Sequence, residues 1–285
     1  MVKLLLLLWK VKLFMIIDKL VQRIKETTPI CVGLDPRPDK MADEFGIETG
    51  MNSISKAMYD FNINIIDKIY DIVPAVKPQI AFYEALGAEG IEVYIKTIAY
   101  AKEKGLIVIG DIKRGDIGST AEYYSKAHIG GSEPFSPFKQ DFITVSPYMG
   151  PDTIVPYFKD MEQFDRGLFV LLRTSNLGAK ELQDIVYPYV SEMLKNLGSN
   201  FIGESGYSRI GAVVGANIKQ DIRKDLPNTF FLVPGIGAQG GNVKDIAHLF
   251  DRDKNGLIIN SSRDIIYAKD PREAVLKLSK EIQSI

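Results

Sequence analysis

Residues 105–124 read GLIVIGDIKRGDIGSTAEYY, a strand-length apolar run followed at once by a cluster of charged residues. The run itself, residues 106–110, is apolar at consecutive positions and does not alternate with polar residues. Such a run is typical of a strand buried on both faces, as in a parallel sheet covered by helices. We therefore expect Asp111, Lys113 and Asp116 to follow the carboxyl end of a buried strand.

The same kind of run recurs along the chain, with stretches between the runs that have helical character. Residues 53–72 and 89–104 carry apolar side chains at the spacing of an amphipathic helix. The strand-length runs are residues 30–34, 75–78, 106–110, 142–145, 168–172, 210–214, 230–233 and 257–259. The pattern is a repeated strand and helix.

Eight strand and helix units in roughly 250 residues predict the α/β class and, within it, a (β/α)8 TIM barrel. A doubly wound open sheet is the alternative, but it would be expected to carry a Gly-x-Gly-x-x-Gly turn after an early strand. Residues 33–36 read GLDP and do not match that turn. We expect one domain over residues 15–285.

Composition limits the partners and the compartment. The chain has a formal net charge of -1, which gives no overall field to attract nucleic acid, so we expect a small ligand and no nucleic acid. One cysteine, Cys31, cannot form an internal disulfide, and the only histidines, His128 and His248, stand far apart, which argues against a zinc site. A reducing cytoplasm fits this composition best.

The amino terminus is unusual, since residues 1–14 read MVKLLLLLWKVKLF. The apolar stretch is too short to span a bilayer, which needs roughly 20 apolar residues. We interpret residues 1–14 as an extension or a start-site artefact, because an ordinary amphipathic helix begins at Met15. A short interfacial anchor is the alternative, and no membrane span is expected.

Charged residues follow three consecutive strands of the predicted barrel. Asp35 closes the first strand, Lys77 the second, and Asp111 and Lys113 the third. Residues i and i+2 of a strand lie on one face about 6.5 Å apart, so Asp111 and Lys113 should both project into the mouth of the barrel. Asp116 lies beyond a glycine and need not share that face.

Each of these residues also has a simpler interpretation. The run after the third strand could be a solvated surface loop, Lys77 a lysine at the edge of the core, and Asp35 a turn or helix-capping residue. However, four charged groups that converge inside an apolar barrel are hard to explain structurally, because buried ion pairs seldom stabilise a fold. A catalytic array explains them better.

The loops after the last two strands have the features of a phosphate site. Residues 234–241, PGIGAQGG, include Gly237, which lets the backbone wrap an anion, and Gln239, which adds an amide donor. Residues 260–263, NSSR, end in Arg263, whose guanidinium can grip phosphate oxygens with two hydrogen bonds. Barrels of this kind often bind phosphate at this position.

Together these segments resemble the orotidine 5'-phosphate decarboxylase family, from about Met15 to the carboxyl terminus. The most specific part is the Asp-x-Lys-x-x-Asp run from Asp111 to Asp116, followed by Thr120. Supporting segments are CVGLDPRP around Asp35, AVKPQIAFYE, LLRTSNLGA, VPGIGAQGG and NSSRDIIYA. The sequences of these segments are similar to those of the longer bacterial subgroup of the family, type 2.

The resemblance implies a cofactor-free decarboxylation of orotidine 5'-phosphate to UMP in pyrimidine biosynthesis. It implies that Lys113 protonates C6 of the pyrimidine and that Asp111 lies against the departing carboxylate. Lys77 and Asp35 would bind ribose hydroxyls and complete the charge array. No metal or pyridoxal phosphate is expected.

The resemblance also implies an active site shared across a homodimer. Asp116 and Thr120 would reach into the neighbouring subunit's site. Ser175 would bind the pyrimidine ring, while Gln239 and Arg263 would hold the phosphate.

Asp264, directly beside Arg263, departs from the expected pattern and should point away from the phosphate. The nearest enzymatic alternative is a Mg²⁺-dependent sugar-phosphate decarboxylase or aldolase of the same barrel group, which shares the Asp-x-Lys-x-x-Asp run. A non-catalytic nucleotide-binding or membrane-tethered module is an alternative from another class. The intact charged run argues against it, because binding alone does not require an acid placed against an anionic substrate.

Overall fold

Parallel strands in chain order form the centre of the molecule. The computed structural model describes residues 14–45, 51–131, 136–236 and 241–285, and of residues 42–45 and 51–53 it describes only the backbone. The strands are β1 Ile30–Leu34, β2 Ala75–Pro78, β3 Ile107–Arg114, β4 Phe142–Val145, β5 Gly167–Arg173, β6 Ser208–Val214, β7 Thr229–Pro234 and β8 Leu257–Ser261. Each pairs with the next, and β8 pairs with β1, which closes the barrel. The predicted (β/α)8 TIM barrel is confirmed.

Helices connect the strands and cover the outside of the barrel. They are α1 Ile16–Glu26, α2 Pro38–Phe45, α3 Met51–Ile69, α4 Ala81–Glu84, α5 Gly87–Glu103, α6 Gly118–His128, α7 Phe158–Phe164, α8 Ala179–Gly198, α9 Ile222–Asp225, α10 Arg263–Ile266 and α11 Pro271–Gln283. Phe61 and Ile65 of α3 pack in one apolar cluster with Val32 of β1 and Val76 of β2. The helices predicted at residues 53–72 and 89–104 correspond to α3 and α5, with ends that differ by one to three residues.

A second apolar cluster fills the inside of the barrel. Cys31, Ile109, Phe169 and other inward-facing strand residues pack there against Ile17 and Leu20 of α1. The backbone N–H of Ser205, which precedes β6, donates to Asp18 of α1 at 2.7 Å. Helix α1 therefore closes the amino-terminal end of the barrel and leaves the carboxyl ends of the strands for a site.

Some of the sequence predictions concern residues outside the described part. Residues 1–13 are among these, so the extension or start-site artefact over residues 1–14 and the single domain over residues 15–285 stay predictions. Within the described residues, no helix is both long and apolar enough to cross a membrane.

Candidate active site

A cavity of about 500 Å³ opens at the carboxyl ends of the strands. That volume lies within the usual range for a small-molecule site. Six of the residues predicted from the sequence line it: Asp35, Lys77, Asp111, Lys113, Ser175 and Arg263. Asp35 and Arg263, 228 positions apart in the sequence, thus come together because parallel strands present their carboxyl ends at one side of the barrel.

Asp111 lies between two ammonium groups, and we call these three residues the Lys77–Asp111–Lys113 array. Lys77 Nζ donates to Asp111 Oδ2 at 2.8 Å, and Lys113 Nζ bonds to Asp111 Oδ1. The side chains of Lys77 and Asp111 are only 5% and 12% exposed, whereas that of Lys113 is 44% exposed. One lysine is therefore fixed inside the barrel, and the other reaches the carboxylate from the cavity mouth.

The charges of the array stabilise one another. Burial by itself disfavours the charged form of Lys77, but the attraction of Asp111 and Asp35 outweighs it and raises the pKa of Lys77 above its ordinary value. Burial likewise works against ionised Asp111, but Lys77 and Lys113 outweigh it and hold the pKa of Asp111 well below its ordinary value. The Lys77–Asp111 pair is ionised at neutral pH.

Strand β3 is longer than predicted, because it continues through Arg114 and not only to Gly110. Gly110 pairs with Ile143 and Arg114 with Val145, so β3 advances by four residues over the distance in which β4 advances by two. This is a bulge, and within it Lys113 has a left-handed backbone with φ of 48°. Simple strand alternation therefore does not describe residues 111–113, although the side chains of Asp111 and Lys113 both line the cavity.

Asp35 is held by a residue that the sequence did not single out. Ser262 Oγ donates to Asp35 Oδ2 at 2.6 Å, across the seam where β1 meets β8. A glycine is needed beside this bond, because a Cβ on Gly33 would lie 1.7 Å from Ser262 Oγ. The other oxygen, Asp35 Oδ1, is buried and has no hydrogen-bond partner among the described residues. Asp35 thus keeps an acceptor for a ligand hydroxyl.

The cavity has other walls that the sequence did not assign. Leu171, Val213 and Leu232 line it and bring apolar surface close to the array. Asn260 also lines it, and its Oδ1 is a second buried oxygen with no partner in the described part of the chain. In the sequence Asn260 stands out only as part of the NSSR segment, and nothing there predicts that its side chain lines the cavity.

The residues at the end of β5 divide between the cavity and a contact with a covering helix. Thr174 and Ser175 line the cavity, whereas Arg173, the last residue of β5, is buried and pairs with Asp184 of α8 at 2.6 Å. Ser175 therefore lies at the cavity wall, and its contact with the pyrimidine stays a prediction.

The proposed phosphate end is described only in part. Gly235, Ile236 and Arg263 line the cavity, so the loops after β7 and β8 meet there. Gly237 and Gln239 lie outside the described residues, and their contacts stay predictions. Asp264 also contributes to the cavity wall, and its expected direction away from the phosphate stays a prediction.

Asp116 and Thr120 do not line the cavity of their own chain. Asp116 follows the end of β3, and its Oδ1 accepts a hydrogen bond from Ile117 N at 2.8 Å. Thr120 is exposed in the first turn of α6. The prediction that Asp116 need not share the face of Asp111 and Lys113 agrees with this position.

Comparisons with known proteins agree with the geometry. The model of the family described as "Orotidine 5'-phosphate decarboxylase / HUMPS family" matches residues 28–278. An orotidine 5'-phosphate decarboxylase of Clostridium tetani is 44% identical, over 94% of this chain and 98% of its own length.

Solved structures show the same fold. That of Leishmania donovani OMP decarboxylase is 30% identical with a TM-score of 0.77, over 95% of this chain and 98% of that one. That of Leishmania donovani UMP synthase is 33% identical with a TM-score of 0.79, over 94% of this chain, which spans 56% of that longer protein. The chain belongs to the orotidine 5'-phosphate decarboxylase family.

Proposed function

We propose that this protein converts orotidine 5'-phosphate to UMP and CO₂, without a cofactor, in de novo pyrimidine biosynthesis. The observation that carries the proposal is the Lys77–Asp111–Lys113 array, an ionised acid between two ammonium groups at the base of a cavity. The similarity to the orotidine 5'-phosphate decarboxylase of Clostridium tetani, at 44% identity, supports orotidine 5'-phosphate as the substrate.

Lys113 is the proton donor in this proposal. The bond between C6 and the carboxylate breaks, CO₂ leaves, and the electron pair stays on C6, where no adjacent group can delocalise it. The Lys113 ammonium stabilises the developing charge and transfers its proton to C6, which gives UMP. Because the Lys113 side chain is 44% exposed, the resulting amine can regain a proton from water.

Asp111 has two roles in the proposal. Its carboxylate accepts hydrogen bonds from Lys77 and Lys113 on different oxygens and thereby fixes the direction of Lys113. Its negative charge also lies where the substrate carboxylate departs, so loss of CO₂ relieves a repulsion. Binding energy from the distant phosphate can offset that repulsion in the bound substrate.

The remaining contacts follow the walls of the cavity. Asp35 and Lys77 bind the ribose hydroxyls, and Ser175 binds the pyrimidine. Arg263, Gln239 and the backbone around Gly237 hold the phosphate. Two observations support these contacts: Asp35 Oδ1 is buried without a hydrogen-bond partner among the described residues, and Ser175 and Arg263 line the same cavity.

We also propose a homodimer in which Asp116 and Thr120 complete the partner's site. Both residues lie just beyond the end of β3 but outside their own cavity. Exposed apolar side chains stand on the same side of the barrel, at Ile117, Tyr148 and Met149. They supply surface that a second copy would cover.

A cytoplasmic location belongs to the same proposal. It is supported by the single cysteine, Cys31, which is buried and free of any disulfide. The Mg²⁺-dependent sugar-phosphate alternative is not supported, because the Clostridium tetani relative at 44% identity is an orotidine 5'-phosphate decarboxylase.

The test follows the absorbance loss as orotidine 5'-phosphate becomes UMP, with and without EDTA. We expect the same turnover in both. Turnover that EDTA abolishes and Mg²⁺ restores would contradict a cofactor-free reaction, and no turnover in either would overturn the proposal.

A further inference from the structure

One buried hydroxyl of β4 contacts the β3 bulge at three points. Thr144 Oγ1 accepts hydrogen bonds from Ile112 N and Lys113 N, both at 3.0 Å. It donates its own hydrogen to Asp111 Oδ1, also at 3.0 Å. Thr144 is 1% exposed and lines the cavity. A hydroxyl has one hydrogen and two lone pairs, so these three bonds use its full capacity.

The position of Thr144 explains how the bulge is held. Between the pairs Gly110–Ile143 and Arg114–Val145, Thr144 is the only β4 residue that faces residues 111–113. Its hydroxyl satisfies the amides of Ile112 and Lys113, which in an unbulged strand would bond to backbone carbonyls. Regular pairing resumes where Ser146 N donates to Arg114 O at 2.8 Å.

The same hydroxyl fixes the backbone from which Lys113 departs. A left-handed φ of 48° is unfavourable for a lysine and persists only where surrounding contacts determine it. The bond from Lys113 N to Thr144 Oγ1 is such a contact. Thr144 and Lys113 also bond to the same oxygen, Asp111 Oδ1. Thr144 therefore fixes the Asp111 carboxylate and also the backbone from which the Lys113 side chain extends.

We propose that Thr144 is a positioning residue for proton transfer, which holds the Asp111 carboxylate and the Lys113 backbone in one geometry. It does not touch the reacting atoms in this proposal but determines where the Lys113 ammonium lies. The inference rests on the proposed function, since it assumes that Lys113 protonates the substrate. Misplacement of a catalytic group by about 1 Å can lower a rate by about 100-fold.

The first test compares two substitutions of similar size. Thr144→Val keeps the branched shape and removes the hydroxyl, whereas Thr144→Ser keeps the hydroxyl and removes the methyl group. We expect Thr144→Val to lower kcat by roughly 10-fold to 100-fold, with KM changed less than about threefold, because the phosphate and ribose contacts remain. Thr144→Ser should keep kcat within about threefold of the wild type.

A double-variant comparison separates positioning from a general loss of structure. In a Lys113→Ala background, Thr144→Val should lower the residual rate by less than about twofold, because there is no ammonium left to position. If Thr144→Val does not fold, Thr144→Cys replaces it, since a thiol is a weak hydrogen-bonding group of similar size. Its kcat should then lie clearly below that of Thr144→Ser.

Three results would overturn the inference: a Thr144→Val or Thr144→Cys enzyme with wild-type kcat, equal losses in the Val and Ser variants, or the same loss with Lys113 absent. Failure of the proposed function looks different, because the wild-type protein itself would not turn over orotidine 5'-phosphate.

Discussion

Lys77 and Asp111 form a buried ion pair, with Lys77 Nζ 2.8 Å from Asp111 Oδ2, at the end of the barrel that is open to ligand. The pair occupies inward positions of β2 and β3, directly above an apolar layer that includes Ile109 and Phe169. An apolar core gains little from two buried charges, since removing them from water costs about as much as their attraction returns. The pair is therefore better explained by chemistry than by stability.

This explanation predicts how the barrel responds when the pair is altered. Asp111→Asn should lower the free energy of unfolding by about 3 kcal/mol, because it leaves the Lys77 ammonium buried without a carboxylate. The double variant Lys77→Met and Asp111→Leu should be within about 1 kcal/mol of the wild type, although inactive. Urea unfolding measures both values. A double variant as unstable as the single one would show that the pair stabilises the fold.

The bond from Ser262 to Asp35 predicts an effect on substrate binding. Ser262→Ala should raise KM about tenfold with little change in kcat, which corresponds to the loss of one hydrogen bond to a charged group. Steady-state kinetics measure the two constants separately. In an Asp35→Ala background the same substitution should have no further effect. An unchanged KM in Ser262→Ala would contradict a role for this bond.

His128 predicts how stability depends on pH. Burial lowers the pKa of His128 to about 4, and its Nδ1 bonds to Gln140 Oε1 at 3.0 Å. The unfolded chain binds this proton near pH 6.5, whereas the folded chain stays neutral until about pH 4. Stability is therefore lost as the pH falls from about 6.5 to about 4, by up to roughly 3 kcal/mol.

The control for this prediction is His128→Asn, whose amide can donate to Gln140 but does not titrate. Urea unfolding at about pH 7 and about pH 4.5 should show a clearly smaller loss for the variant than for the wild type. Equal losses would mean that other groups account for the acid sensitivity.

The proposed sharing of active sites predicts complementation between two inactive enzymes. Lys113→Ala disables the site in its own barrel, and Asp116→Ala disables the site of the partner. Mixing and reassociating the two variants should restore roughly one quarter of wild-type activity, because half of the dimers are mixed and each has one intact site of two. Activity equal to the sum of the separate variants would exclude sharing.

The sequence predicted the strands well because each is apolar on both faces. The barrel and the convergence of Asp35, Lys77, Asp111 and Lys113 followed from that pattern, since residues at the carboxyl ends of parallel strands meet. The extension of β3 to Arg114 could not be predicted, because its last residues are charged and the apolar signal stops at Gly110.

What the sequence missed depends on contacts between distant segments. Thr144 holds residues 111–113 from a neighbouring strand, and Ser262 holds Asp35 from across the barrel seam. A lone threonine in an apolar run, or a serine beside an arginine, carries no local signal of such a bond. These contacts become visible only when the register of the strands is known.

The rate at which Lys113→Ala consumes orotidine 5'-phosphate in the presence of EDTA tests the central claim most directly. The wild type and a control, Lys159→Ala, an exposed lysine of α7 outside the cavity, should turn over the substrate at the same rate. Lys113→Ala, if folded as shown by circular dichroism, should be slower by roughly 10⁴-fold, because it loses both the proton donor and the nearest positive charge. A Lys113→Ala enzyme that keeps a tenth or more of wild-type turnover would contradict the assignment of Lys113 as the proton donor.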